Sequence, residues 1–329
     1  MISLRLLLIL VFVCILVAPL QTLAQPYEMQ YERPVDVAPT EEDIGEGYEV
    51  PPVQRPYPRS VLLEMLDVIL LLTAMGLAAW IVLARRNRRW LVALTIVCLG
   101  YFGFYREGCV CPIGAIQNVS VAFVDPKFAV SYSVIAFFIF PLVLAVLFGR
   151  VFCGGVCPLG AIQELVLLRP VEVPKPIDRA LGSLKYIYLI LAIMVAVRPE
   201  ITRDFLICRF DPFVGFFRFE GPAHMLMIGG AFLLLAVFVG RPFCRYLCPY
   251  GVLLSLLSRL SWKGVSITPN RELDCGLCMK ACPYGAIENM RAVRSSCLFC
   301  ARCYNACPIH RADGVELASI QNSSSELGR

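Results

Sequence analysis

The run CLFCARCYNACP, from Cys297 to Pro308, constrains this chain more than any other stretch. Its C-x2-C-x2-C-x3-C-P spacing puts three thiols on one tight loop and sends the fourth away from it. That is the pattern of a bacterial-type iron–sulfur site. By the crossing this pattern implies, Cys297, Cys300 and Cys303 share one cluster with Cys282, which lies in the earlier run CGLCMKACPYGAI. Cys307 then joins Cys275 and Cys278 at the neighbouring cluster. Zinc sites use other spacings, and neither zinc nor a disulfide framework accounts for both Cys-Pro pairs. Two 4Fe-4S clusters on a small α+β ferredoxin unit, residues 264–310, are therefore expected.

One ligand is missing from that scheme. Superposing Cys282-Pro283 on Cys307-Pro308 sets Cys278 against Cys303 and Cys275 against Cys300, and leaves Glu272 opposite Cys297. The first cluster then has Cys275, Cys278 and Cys307 plus Glu272, Asp274, a solvent ligand or an open corner. An open corner suits a 3Fe-4S cluster or a labile fourth iron. The spacing does not choose among these.

The rest of the chain is of another kind. It is 58% hydrophobic and 17% charged, too apolar for a soluble domain of its 329 residues. The expected fold is a polytopic all-α membrane domain, residues 61–263, with about five spans. These run from Val61 to Ala84, Trp90 to Tyr105, Phe128 to Phe148, Leu181 to Val197 and Pro222 to Val239. Arg85, Arg86, Arg88 and Arg89 follow the first span and assign that end to the cytoplasm. The same rule leaves the ferredoxin unit inside. Residues 1–24 read as a signal peptide or an extra N-terminal span. Residues 25–60 are an acidic, Pro-rich periplasmic segment, and residues 311–329 a polar tail. Glu64 and Asp67 lie in the outer part of the first span. They read either as interfacial acids reaching for the helix end or as a proton or quinone site.

Within the membrane domain a unit is duplicated. GRVFCGGVCPLGA carries Cys153 and Cys157, and GRPFCRYLCPYGV carries Cys244 and Cys248; both follow G-R-x-F-C-x3-C-P-x-G. Repeats of this kind pack about a pseudo-symmetry axis and form sites where they meet. A helical C-x3-C pair has both sulfurs on one face, so two facing pairs supply the four thiolates of a third cluster at the inner membrane face. The Pro after each second Cys should end or redirect its helix. Arg150 and Arg241 stand ready to offset cluster charge, or simply anchor the inner face. Each unit is preceded by a cysteine-bearing stretch read as an outer loop: REGCVCPIGAIQN, with Cys109 and Cys111, and FLICRFDPFVGFF, with Cys208. With His224 these form a weaker outer candidate, either a metal site, a disulfide, or a flavin or quinone environment.

The two G-R-x-F-C-x3-C-P motifs, the CPLGAIQEL and CPIGAIQN stretches and the C-terminal double motif together resemble the NosR/NapH-type membrane-anchored 4Fe-4S ferredoxins, over roughly Val61 to His310. That resemblance implies an electron-transfer protein of a bacterial inner membrane, multi-pass and in contact with lipid. Such proteins connect a quinone pool or flavoprotein to redox enzymes, often of anaerobic respiration. It carries over to Cys153, Cys157, Cys244, Cys248 and the ferredoxin cysteines. The chain departs from the pattern at Glu272, and residues 25–60 are too short for the flavin-binding domain that NosR proteins carry. A flavin is thus expected on a separate flavoprotein subunit. No nucleophile–base pair, phosphate loop or nucleotide fingerprint is present, so no catalytic residues and no nucleic-acid partner are expected. The leading expectation is an electron relay between a quinone, flavoprotein or cytoplasmic donor and a respiratory partner. A maturation factor for a periplasmic metalloenzyme and a redox-sensing regulatory protein are the alternatives.

Overall fold

The computed structural model describes residues 60–106, 112–125, 128, 130–171, 173–198, 211, 213–218, 223–262 and 275–308. Helices dominate these residues. α1 (Val61–Trp80) is apolar almost throughout and continues as a π-helical stretch (Ile81–Arg85). It stops where Arg86 turns left-handed at φ 52°. Asn87 then caps α2 (Arg88–Cys98) by accepting from the Arg89 N–H at 2.9 Å. A second π-helical stretch (Leu99–Tyr105) extends α2.

Two helical segments are long and apolar enough to cross a membrane, Val61–Arg85 and Pro176–Ala196. The second belongs to α7 (Lys175–Ala196). The other expected spans are shorter as helices. They comprise α2 with its extension, α4 (Tyr132–Phe148) and α9 (Ala223–Ala236).

Residues 112–118, expected in an outer connection, instead open a helix, α3 (Pro112–Val124). Pro at a first helical position costs no hydrogen bond, and Ile113, Ile116, Val121 and Ala122 are buried along it. Gln117, also buried, donates to the Ala192 carbonyl of α7 at 3.2 Å. The second stretch read as an outer loop also turns into the core. Phe213 and Phe217, the latter in α8 (Val214–Arg218), are fully buried. Phe213 meets the Phe243 ring edge-on.

Each C-x3-C motif forms a pair of short helices. α5 (Val151–Gly155) is followed by α6 (Pro158–Leu165), and α10 (Pro242–Tyr246) by α11 (Pro249–Ser258). Tyr250 ties α11 to α4 by donating to the Phe138 carbonyl at 2.7 Å.

The C-terminal head, residues 275–308, has little regular structure. It contains α12 (Leu277–Lys280), a hairpin of β1 (Ile287–Glu288) and β2 (Arg291–Ala292), and α13 (Arg302–Ala306). The hairpin is antiparallel, with Ile287 opposite Ala292. The head sits against the α4–α5 corner. There Gly149, at φ 84°, lies beneath the Phe299 ring, where an added Cβ would come within 2.7 Å. Only glycine takes that conformation without strain.

Candidate iron–sulfur sites

In the head, Cys282, Cys297, Cys300 and Cys303 line one cavity together with Tyr284 and Arg302. The loop reaches round it by setting Phe299 and Ala301 left-handed, at φ 55° and 58°. Two non-glycine residues so close in that region are strain held by their surroundings. Burial pushes the Cys297 thiol up to about 12 and the Cys300 thiol up to about 11. Iron ligation requires the thiolate, so loading this site must release those protons. At the other end of the head, Cys275 is exposed while Cys278 and Cys307 are buried. Burial raises the Cys278 thiol, and the nearby Cys275 and Cys307 add to the rise.

The second cavity is lined by Cys153, Cys157, Cys244 and Cys248, with Arg150, Ile113 and Tyr250 in its wall. The motif does not form one continuous helix with both sulfurs on a face. Cys153 and Cys244 lie within the short helices α5 and α10, whereas Cys157 and Cys248 are the extended N-caps of α6 and α11. Each Pro sits at the first position of the new helix rather than ending the old one. The break turns both thiols inward. Cys248 also accepts from the Gly251 N–H at 3.3 Å, and Cys244 from the Gln163 amide at 3.5 Å. Among the described residues no three His, Cys, Asp or Glu side chains converge closely enough for a single metal ion. The thiols stand instead around two cavities.

Charge favours an anionic occupant in the second cavity. Arg150 is 6% exposed. It donates to the Ser295 carbonyl at 3.1 Å and points toward the Cys153 sulfur at 4.0 Å. Its Nε has no hydrogen-bond partner, and it forms no ion pair with a carboxylate among the described residues. A buried guanidinium without a counterion is costly. A thiolate-ligated 4Fe-4S cluster is an anion, so the residues present fit such a group in both donor set and charge.

Between the two cavities lies a carboxylate that the sequence reading missed. Glu164, in α6, accepts from Arg88 at 2.9 Å, Arg241 at 3.1 Å and Arg302 at 3.0 Å, and from the Tyr284 hydroxyl. Burial alone would raise its pKa. The Arg241, Arg302 and Arg88 guanidiniums and the Tyr284 hydroxyl hold it down at about 2. Arg241 is fully buried and left-handed at φ 47°. It also donates to the Cys153 and Gly154 carbonyls. The signal in the sequence is a lone acid two residues after an apolar G-A-I run, where nothing local calls for charge.

The remaining candidates are placed as follows. Asp67 is not an interfacial acid reaching for the helix end. It is fully buried, accepts from the Tyr101 hydroxyl at 2.6 Å and pairs with Arg106 at 2.9 Å. Glu64 accepts from the Ser131 hydroxyl at 3.1 Å. Cys109, Cys111, Cys208, Glu272 and Asp274 lie outside the described residues, as does the His224 side chain. Ile113 and Phe213, which lie within the cysteine-bearing stretches, pack beside the second cavity and its motif.

Known proteins resemble this chain over several stretches. A family described as a 4Fe-4S binding domain matches twice, at residues 130–176 and 222–267, and a second 4Fe-4S binding domain family matches residues 273–288. YccM of Escherichia coli strain K12, whose name places it provisionally in electron transport, is 26% identical over 215 residues, 60% of each chain. The uncharacterized protein MJ0750 of Methanocaldococcus jannaschii is 31% identical over 220 residues, 63% of this chain and 87% of that protein. The regulatory protein NosR of Pseudomonas aeruginosa is 27% identical over 242 residues, 67% of this chain but only 32% of NosR. No solved structure matches. With a 4Fe-4S motif duplicated in the helical part, a third in the head, and relatives that include NosR, the chain belongs to the NosR/NapH-type 4Fe-4S ferredoxin family.

Proposed function

We propose that the protein is a membrane-bound iron–sulfur electron relay. The observation that carries this reading is the pair of four-cysteine cavities linked by the contacts of Glu164 with Arg241 and Arg302. Cys282, Cys297, Cys300 and Cys303 would hold one 4Fe-4S cluster, and Cys153, Cys157, Cys244 and Cys248 another. Cys275, Cys278 and Cys307 would hold a third, with a fourth ligand from outside the cysteines. Bound there, such clusters supply reversible one-electron chemistry.

The chain's own residues bury the thiols, exclude water with Ile113, Phe152 and Tyr250, and set Arg150 against the second cavity. Arg150 packs against Gly251 of the second motif, and Arg241 against Gly160 of the first, so each duplicated unit supplies the cation beside the other.

A membrane location is supported by α1. Leu62, Met65, Leu66 and Ile69 are exposed on it, a face suited to hydrocarbon rather than water. In this reading the head faces the cytoplasm, and the donor or acceptor at the far side is a quinone or a flavin on a separate subunit. A redox-responsive regulatory role is the second reading, favoured by the name of the NosR relative.

Anaerobic purification with iron and acid-labile sulfide counts, followed by EPR, tests the first reading. Three clusters give about twelve irons per chain and two about eight. Fewer than about four irons would sink the assignment.

A further inference from the structure

We propose that Glu164 is a positioning residue that sets the potentials of both iron–sulfur groups together, through the arginines and tyrosine it gathers between their cavities. The inference rests on the reading that both cavities hold clusters.

Glu164 joins parts of the chain that are far apart in sequence. Arg88 begins α2, Arg241 opens the second motif, and Tyr284 and Arg302 belong to the head. Each of them also reaches toward one cavity or both. Arg88 donates to the Cys300 carbonyl at 2.8 Å. Arg302 and Tyr284 line the head cavity. Arg241 binds the Cys153 and Gly154 carbonyls while its guanidinium lies 5.8 Å from the Tyr284 ring. The residue beside Glu164, Gln163, donates to the Cys244 sulfur and accepts from the Phe243 N–H at 3.1 Å.

Three guanidiniums against one carboxylate leave the layer net positive. Water screens its centre little, because Glu164 and Arg241 are 7% and 0% exposed, while Arg88 and Arg302 are half-buried at its edge. A fixed charge in such a medium acts on groups on either side of it. Net charge and hydrogen bonding are the levers that set cluster potentials. Reduction adds negative charge to a cluster, so losing the carboxylate should favour the reduced form and losing a guanidinium should disfavour it. A purely mechanical latch would produce no such pair of opposite signs.

The test is an EPR-monitored redox titration of the full-length protein, purified anaerobically with its clusters. Its variants are Glu164→Gln, Arg88→Gln and Cys153→Ser. Glu164→Gln is expected to move the midpoint potentials of two signals in the positive direction. The signal of the Cys275, Cys278 and Cys307 site should stay in place. Arg88→Gln, which lies outside both cysteine loops, is expected to move the same two signals in the negative direction. Should Glu164→Gln lose iron, the sign of the Arg88→Gln shift decides.

Shifts of one sign in both variants, movement of one signal alone, or equal movement of all three would overturn the proposal. If Cys153→Ser removes no signal and iron stays near about eight per chain, the second cavity holds no cluster and the underlying reading fails. A signal that Cys153→Ser abolishes, but that neither charge variant moves, overturns the role of Glu164 alone.

Discussion

Gly154 shows how little room separates the head from the helical part. A Cβ there would lie 2.3 Å from the Leu298 carbonyl oxygen and 3.1 Å from that of Phe299. Both obstacles are backbone, and neither can rotate away. Gly154→Ala should therefore weaken docking of the head, by about 1–3 kcal/mol as for other overpacked sites. Amide hydrogen exchange checks this: residues 296–300 should exchange faster in the variant while α1 and α7 keep their protection. Gly182→Ala, where nothing lies within 4 Å, serves as the neutral control. Equal protection in both variants would contradict the contact. At this scale the sequence was legible where chemistry forces a spacing and obscure where packing assigns a role. The cysteines around both cavities could be named from C-x2-C and C-x3-C intervals alone. Glu164 could not, because its partners stand 76, 77, 120 and 138 residues away. The left-handed backbone of Arg241 and its carboxylate partner are likewise products of the tertiary structure.

The paired short helices are where sequence symmetry and structural asymmetry part. Counting from Gly160 and Gly251, Gln163 of α6 corresponds to Leu254 of α11, and Glu164 to Ser255. The polar pair ties the first unit to the second unit and to the head. Gln163 accepts from the Phe243 N–H, and Glu164 binds Arg241. On the other side Ser255 donates to the Ser295 carbonyl at 2.9 Å, the same oxygen that Arg150 uses. Gln163→Leu copies the residue of the sister unit and so introduces no foreign shape. It strips the Phe243 N–H of its acceptor and Cys244 of a donor. A buried donor left unpaired costs about 1–3 kcal/mol, so a lower thermal midpoint by far-UV circular dichroism in detergent is expected, with iron content retained. An unchanged midpoint would mean that water or another acceptor replaces the amide. The helix over Pro112–Val124 was hidden for a different reason. Its first residues repeat the CPxGAIQ pattern of α6, but it lacks the preceding G-R-x-F that marked the other two motifs.

For the molecule as a whole, the two parts differ in what keeps them folded. The helical part has a continuous apolar core, including Leu71, Met75, Phe102, Phe137 and Leu142. The head from Cys275 to Pro308 has two-residue strands and helices of four and five residues. A segment of that size buries too little apolar surface to fold alone. Ligation of a cluster by its thiols would supply the folding free energy that so small a core lacks. Gly154 and Gly240 let its backbone, and Gly149 its Phe299 ring, lie directly on the helical part. Removing iron with a chelator and an oxidant should consequently unfold the head and leave the helices intact. Far-UV circular dichroism should keep most of its helical signal. Limited proteolysis should cut within residues 275–308 in the iron-free protein and spare them in the loaded one. The Cys282, Cys297, Cys300 and Cys303 site should govern this transition, because its loop carries the Leu298 and Phe299 contacts to Gly154 and Gly149. Cys297→Ala should mimic the chelator even when the other sites are loaded, whereas Cys275→Ala, at the exposed end, should leave the docked face protected. If loss of iron melted the helical part together with the head, the membrane unit would depend on a cluster of its own. The cavity of Cys153, Cys157, Cys244 and Cys248 would then be the place to look for it.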